Sequence, residues 1–304
     1  MGDVGPFPYS SRSQHVPQCH RRHRRIPREP RRRELGAEEA LRRGIPLRLL
    51  HVWSRDEERR ARWVDPATAR GWGERTLRIT ERRLRRRHSG LSVVTAWVPG
   101  DPADVLCVAG DESELLVLGS RGLGGPAGYL AGSVSLAVLA RLKRPAILVR
   151  AHSAPAPGQS RSAGDVVLGL DVYSPSDEMI EFAFTAAERF GCRLHVLHSW
   201  QMPAVYGPDM AGVLPTLLAE VGQERQQALG DALAPWTEKY PAVPVVRRCN
   251  QGRAAQDLAE ASRDARLVVV GRRNRRARIG THIGAVTHGV LHHSVAPVAV
   301  VSHD

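Results

Sequence analysis

The chain repeats itself, and that constrains its fold more than any other feature. Residues 46–53 read PLRLLHVW, and residues 193–200 read RLHVLHSW, 147 positions later. Further on, VLGSRG at 117–122 answers VVGRRN at 269–274, and RPAILVR at 144–150 answers APVAVVS at 296–302, both 152 positions apart. Between the copies lies AHSAPAPGQSRSAG (151–164), rich in Ala, Pro, Ser and Gly, which reads as a linker. Self-similarity at this scale describes two copies of one folding unit, and 304 residues suffice for two domains.

Each copy alternates short β-branched runs with helical patterns, the signature of a parallel sheet wrapped by helices. In the second copy the expected order is strand 166–171, helix 177–189, strand 193–200 and helix 214–233. A strand at 243–248, a helix at 254–262, a strand at 267–271, a helix at 284–293 and the strand VAVVS complete it. Strands this apolar suit a sheet covered on both faces, with ligands bound beyond the carboxyl ends of the strands.

Composition removes several alternatives. No apolar run reaches the ~18 residues a membrane span needs, and the amino-terminal segment has no apolar core of a secretory leader. Cysteines 19, 107, 192 and 249 form no C-x-x-C pair, which points to a reducing cytoplasm and not to a disulfide framework. The net charge is +13, carried almost wholly by arginine, since Lys143 and Lys239 are the only lysines. Nine arginines and three acids concentrate +6 of that charge in residues 1–34. Two further clusters, Arg82, Arg83, Arg85, Arg86, Arg87 and Arg272, Arg273, Arg275, Arg276, Arg278, have no aromatics interleaved for base stacking. Both read as solvated faces, and nucleic acid is not an expected partner.

The first copy follows its strand LLVLG with GSRGLGGPAGYLAGSVS, a G-x2-G-x9-G-S pattern at Gly119, Gly122, Gly132 and Ser133, then Val134 and Ser135. Glycines let the backbone approach a ligand, and Gly132-Ser133 opens a helix whose N–H groups and dipole suit phosphate. No G-K-[ST] follows, so this is not a Walker loop.

With this motif, the strand LLHVW and the closing strand RPAILVR, residues 35–304 resemble the universal stress protein (UspA-type) family in its tandem two-domain form. The resemblance implies two Rossmann-like α/β units related to the adenine-nucleotide hydrolase class, each with a parallel five-stranded sheet. It implies ATP as ligand and a regulatory role without dedicated catalysis. In ATP-binding members an Asp ends strand one beside adenine and ribose, a residue ending strand two touches the base, and the glycine motif holds the phosphates. Carried over, these positions are Val52, Gly119, Gly122, Gly132, Ser133, Val134 and Ser135 in the first copy. In the second they are Asp171, Ser199, Gly271, Asn274 and Gly284. There Asn274 replaces the middle glycine, a residue tolerant of positive φ, and Ala285 replaces the hydroxyl, which puts the second phosphate loop in doubt.

The first copy departs more seriously. The 147-residue offset puts strand one at 19–24, where the sequence reads Cys-His-Arg-Arg-His-Arg and Arg24 stands for Asp171. A central strand buried on both faces cannot carry these charges, since burying one unpaired charge costs about several kcal/mol. The first unit is therefore expected to lack a proper strand one. Residues 1–34 read either as a disordered basic tail or as strand one in another frame. Written CAT CGT CGG CAT CGA CGG ATC CCC, HRRHRRIP (20–27) becomes Ile-Val-Gly-Ile-Asp-Gly-Ser one nucleotide later, with Asp falling on Arg24. The nucleotide sequence over codons 15–35 separates the two readings.

The expected organisation is a basic segment 1–34, a first domain 35–150, a linker 151–164 and a second domain 165–304. The domains form an intrachain pseudo-dimer through their last strands, with a further homodimer open. His288 and His292 stand four apart on the last helix, but no Glu follows His288 and no third ligand is apparent, so no metal is expected. Ser174 or Ser176 and Asp177 read as a helix cap, and no nucleophile–base pair emerges. The alternative to nucleotide binding is a nucleotide-free interaction module of the same fold.

Overall fold

A computed structural model describes residues 30–54, 65–119, 132–150, 164–201, 214–274 and 283–304. The candidate strand at 19–24, Gly122, the linker residues 151–163, and Arg275, Arg276 and Arg278 lie outside them. The first unit comprises α1 (Pro30–Arg43), β1 (Leu47–Trp53), α2 (Pro66–Arg87), β2 (Val93–Pro99), α3 (Pro102–Asp111), β3 (Leu116–Gly119), α4 (Ser133–Arg141) and β4 (Ala146–Val149). The second comprises β5 (Asp165–Gly169), α5 (Asp177–Phe190), β6 (Leu194–Trp200), α6 (Leu214–Lys239), β7 (Val245–Gln251), α7 (Ala254–Ala261), β8 (Ala265–Arg273), α8 (Ala285–His293) and β9 (Val298–His303).

The helices and strands obey the sequence offsets. α1 and α5, and β1 and β6, begin and end 147 residues apart; β2 and β7, and α4 and α8, do so 152 apart. The five-residue change falls between strand two and strand three of each unit, on the segment holding α2 or α6.

In the second unit β7, β6, β5, β8 and β9 lie side by side in that order, all parallel. β5 is central and its side chains Val166, Val167 and Leu168 are buried on both faces. α5 covers one face for readable reasons. Ser176 caps it by accepting from the Met179 amide, acids fill its first turn, and Gly191 ends it at φ 62°. Between these ends Met179, Ile180, Ala183, Phe184 and Ala187 form the buried stripe. Phe184 stacks on Tyr240 at 5.5 Å and on Trp236 at 6.4 Å, which pins α6 to α5.

The first unit follows the same plan with a break in it. Among the described residues, β1 and β2 form a two-stranded sheet, while β3 and β4 join the second unit's strands in the order β3-β4-β9-β8-β5-β6-β7. The break falls between β1 and β3, where the second unit has β5. α1 carries the same deficit: Arg32 and Arg33 stand where α5 has Met179 and Ile180. Arg33 donates to the Thr80 hydroxyl of α2 at 2.8 Å instead of filling an apolar core. The five arginines at 82–87 are all exposed, as the helical pattern implies.

The two units meet through their last strands, β4 antiparallel to β9 with Ala146 opposite Val300 and Leu148 opposite Val298. Two arginines strengthen this seam reciprocally. Arg150 donates to the Leu291 carbonyl at 3.0 Å and to that of His292, at the carboxyl end of α8. Arg272 donates to the Leu142 carbonyl at 2.6 Å, the residue capping α4. Each guanidinium thus faces the negative end of the other unit's last helix. Arg272 is 6 % exposed, which corrects its reading as part of a solvated cluster; burial lowers its pKa. Arg273 beside it is exposed.

At the opposite end of β5, Asp165 accepts from the Arg193 amide and Nε and contacts His195 Nε2 at 3.0 Å. Burial pushes this carboxyl up, but the Arg193 and His195 contacts outweigh it and hold it below the usual carboxylate range. A carboxyl depressed by folding stabilises above its unfolded pKa, near ~3.9, and loses that contribution as pH falls through the folded value. Asp165→Asn should cost about 1 kcal/mol at pH 7, given that Arg193 is largely exposed. Denaturant unfolding at pH 7 and pH 3 checks it: the deficit should shrink at pH 3, and an equal deficit at both would refute the assignment.

Candidate functional site

The carboxyl ends of the second unit's strands open on a cavity of about 340 Å³. Its wall is Ser199 near the end of β6 and Gln201 after it, Gly252 and Arg253 between β7 and α7, Ala254 and Ala255 opening α7, and Ala285 and Val286 opening α8. Two helices therefore begin at this cavity. Arg253 and Gly284 are their N-cap residues, and neither supplies a side-chain hydrogen bond to the helix it precedes. Helix starts without side-chain caps present N–H groups and positive dipole ends, a setting for anions. Arg253 adds an exposed guanidinium at the same point.

One polar pair stiffens the wall. Ser199 Oγ donates to Asp257 Oδ2 at 2.7 Å, tying the end of β6 to α7. Asp257 also explains Gly252, because a Cβ there would stand 2.7 Å from Oδ2. In the first unit Gly100 has the corresponding place, with φ 148° and Val105 Cγ2 at 2.9 Å from a Cβ position.

Of the residues expected in the second site, Ser199 lines the cavity and Gly284 caps the helix that borders it. Asp171, Gly271 and Asn274 stand outside the lining. Asp171 follows β5, is exposed, and accepts from the Tyr173 amide at 3.1 Å in a local turn. Asn274 does not take a glycine's place through positive φ; none of the described non-glycine residues has positive φ. Its amide donates to the His303 carbonyl and its Oδ1 accepts from Arg272 and Ser302, so it prolongs the β8–β9 edge.

Gly271 and Gly119 lie close against side chains of each unit's first helix. A Cβ on Gly271 would fall 2.4 Å from Met179 Sδ, and one on Gly119 would fall 3.0 Å from Arg32 Cδ. Met179 and Arg32 are equivalent residues of α5 and α1, so both units press the first helix onto the end of strand four. The hydroxyls of the motif have a matching structural role. Ser135 Oγ donates to the Gly119 carbonyl at 3.1 Å, and Thr287 Oγ1 donates to that of Gly271 at 2.6 Å. The Ser135 proton is therefore turned toward the strand.

In the first unit Val52 is half-buried on β1 opposite Val98. Gly132 caps α4 at φ −65° and ψ 149° without a side-chain bond, followed by exposed Ser133 and half-buried Val134. The electrostatics differ from those of the second unit at one point. Asp101, the counterpart of Arg253, caps α3 by accepting from the Ala103 and Asp104 amides. A carboxylate thus occupies the helix start that the second unit leaves to an arginine.

Sequence reasoning missed Gln201 and the stretch 252–255. A signal existed: PGDPADVL (99–106) and QGRAAQDL (251–258) share Gly, Ala and Leu at the 152-residue offset. Cys107, Cys192 and Cys249 are free, and burial raises all three thiols, so none is an activated nucleophile. Among the described residues no group of three or more His, Cys, Asp or Glu is placed to hold a metal ion, and no helix is long and apolar enough to cross a membrane.

The chain matches the universal stress protein family over residues 34–150 and 164–302. It is 33% identical over 273 residues to a universal stress protein of Mycobacterium tuberculosis, spanning 87% of this chain and 90% of that one. Among solved structures, a functionally unknown protein from Pseudomonas aeruginosa aligns at a TM-score of 0.60 and 17% identity, covering 89% of this chain and 87% of its own. A universal stress protein from Archaeoglobus fulgidus aligns at 0.56 and 18%, covering 90% and 94%. Two matched regions, one on each copy of the repeat, together with relatives aligned along nearly their whole length, show that this chain belongs to the universal stress protein family.

Proposed function

We propose that the second unit binds an adenine nucleotide, ATP in the first instance, as a regulatory ligand without dedicated catalysis. The observation that carries this reading is the cavity at the strand ends, bordered by two helix starts without side-chain caps and by Arg253. The phosphates would lie toward Ala285, Val286 and Arg253, and the base toward Ser199 and the end of β6. The helix N–H groups of this wall stand in place of a hydroxyl at position 285, which supports the reading despite Ala285.

Equilibrium dialysis of the full chain with labelled ATP tests it. A carboxylate set among the phosphates, as Ala285→Glu or Arg253→Glu, should weaken binding by at least about tenfold, the equivalent of ~1.4 kcal/mol. Ser133→Glu, the same change in the first unit, should leave it unaltered. Undiminished binding in both second-unit variants would overturn the assignment.

The first unit supports a different reading, a nucleotide-free interaction module. Asp101 places negative charge where the second unit places Arg253, and the Asp that ends strand one has Arg24 in its stead. If Ser133→Glu abolished ATP binding and Ala285→Glu did not, the roles of the two units would be exchanged.

A further inference from the structure

On α8, His288 and His292 stand one turn apart with their Nε2 atoms 3.1 Å from each other and their ring centroids 4.3 Å apart. Two bonds of ~2.05 Å from one ion to nitrogens at that separation close at an angle of roughly 100°, near the tetrahedral value. We propose that this pair is a two-histidine site for a borderline divalent transition ion such as Zn²⁺ or Cu²⁺, with the remaining coordination positions filled by water.

The pair is half prepared for this role. His292 is buried at 8 % exposure and set by the helix, while His288 is exposed and open to an incoming ion. In the metal-free pair one imidazole donates its Nε2 proton to the other. On binding, that ring moves its proton to Nδ1, so both Nε2 lone pairs face the ion and no proton is released. Neutral imidazole nitrogens are ligands suited to Zn²⁺, Ni²⁺ and Cu²⁺, and Cu²⁺ should bind most tightly.

The fold does not require these histidines. The equivalent positions of α4, 152 residues earlier, are Leu136 and Ala140, on a helix of the same length in the same place. The site is thus an addition made to one copy of the unit. It also supplies variants matched to the fold: His288→Leu and His292→Ala each install what the sister helix already carries.

The test is a titration of the full chain with Cu²⁺ or Zn²⁺ against a chromophoric chelator. The chain has thirteen histidines, so the readout is the difference between variants. Wild type should hold one equivalent that is weakened by roughly a hundredfold in His288→Leu and in His292→Ala, the scale of a lost chelate partner. His293→Ala, removing the exposed histidine beside the pair, should retain it. Electron paramagnetic resonance of the strongest Cu²⁺ complex should count two imidazole nitrogens in wild type. Equal affinity in wild type and His288→Leu would overturn the site, as would an equal loss in His293→Ala. Because His288 is exposed, its variant decides the matter even if His292→Ala fails to fold.

Discussion

Placing Asp-Val-Val-Leu-Gly-Leu-Asp, the second unit's own strand one, over residues 18–24 should raise the first unit's stability by about 3 kcal/mol, or its melting temperature by about 10–20 °C. The register is set by the second unit, where Val166 faces Leu194 on one side and Leu267 on the other. Through the repeat offsets, residue 19 would face Leu47 and Leu115, and residue 21 would face Leu49 and Val117. These partners are half-buried in the first unit, whereas their counterparts Leu194, Val196, Leu267 and Val269 are fully buried. An inserted strand buries its own apolar side chains and those of both neighbours, and it pairs two strand edges. Calorimetry reads the stability, and hydrogen exchange reads the amides of β1 and β3, which should become protected. An unchanged melting temperature with unprotected amides would refute the gap. The nucleotide sequence over codons 15–35 bears on its origin: an apolar strand in the shifted frame would support the proposal that residues 1–34 are the native strand read out of frame.

Arg272→Ala should be the most damaging single change at the seam between the units, at about 2–4 kcal/mol. One nitrogen of its buried guanidinium serves Leu142 O at 2.6 Å, Ser302 Oγ at 2.7 Å and Asn274 Oδ1 at 3.0 Å. Its removal deprives all three acceptors of this donor and leaves a void where the aliphatic stem packed. Arg272→Met should restore the stem but not the donors, and so recover only part of the loss. Urea unfolding should show a lower midpoint at unchanged slope. A loss below about 0.5 kcal/mol, the range of ordinary surface changes, would show that the contact adds little.

Much of this architecture was legible beforehand because the second copy keeps both periodicities cleanly. Phe184 and Ile180 fall on one face of α5, and β5 is apolar and buried from Val166 to Leu168. The expectation that the first unit lacks strand one rests on Arg21, Arg22 and Arg24, which lie outside the described residues. What stayed hidden depends on tertiary contact. Arg272 sits in a run of arginines whose other described member, Arg273, is exposed; only the pairing of β4 with β9 buries the one and not the other. The Ser135 hydroxyl fits a phosphate loop as well as it fits a strand carbonyl, and only the structure shows the Gly119 carbonyl within its reach. Gly119 itself looked like a residue that admits a ligand, while its neighbour is Arg32 of α1. The wall at 252–255 escaped notice because it offers a ligand mainly backbone amides, which every sequence possesses.

The antiparallel meeting of β4 and β9 has a consequence for concentration. Two separate chains joined along such an edge would come apart on dilution, and whatever ligand each held would then report on how much protein was present. Here a short tether holds the two halves together, at an effective concentration that no dilution changes. Because the shared strands run in opposite directions, the strand ends of the two halves open at opposite ends of the sheet. A change at one end can reach the other through the seam, where Arg150 and Arg272 each grip the helix of the opposite half, and through α1, whose Glu38 and Arg42 meet Arg266 and Phe190 of the second half.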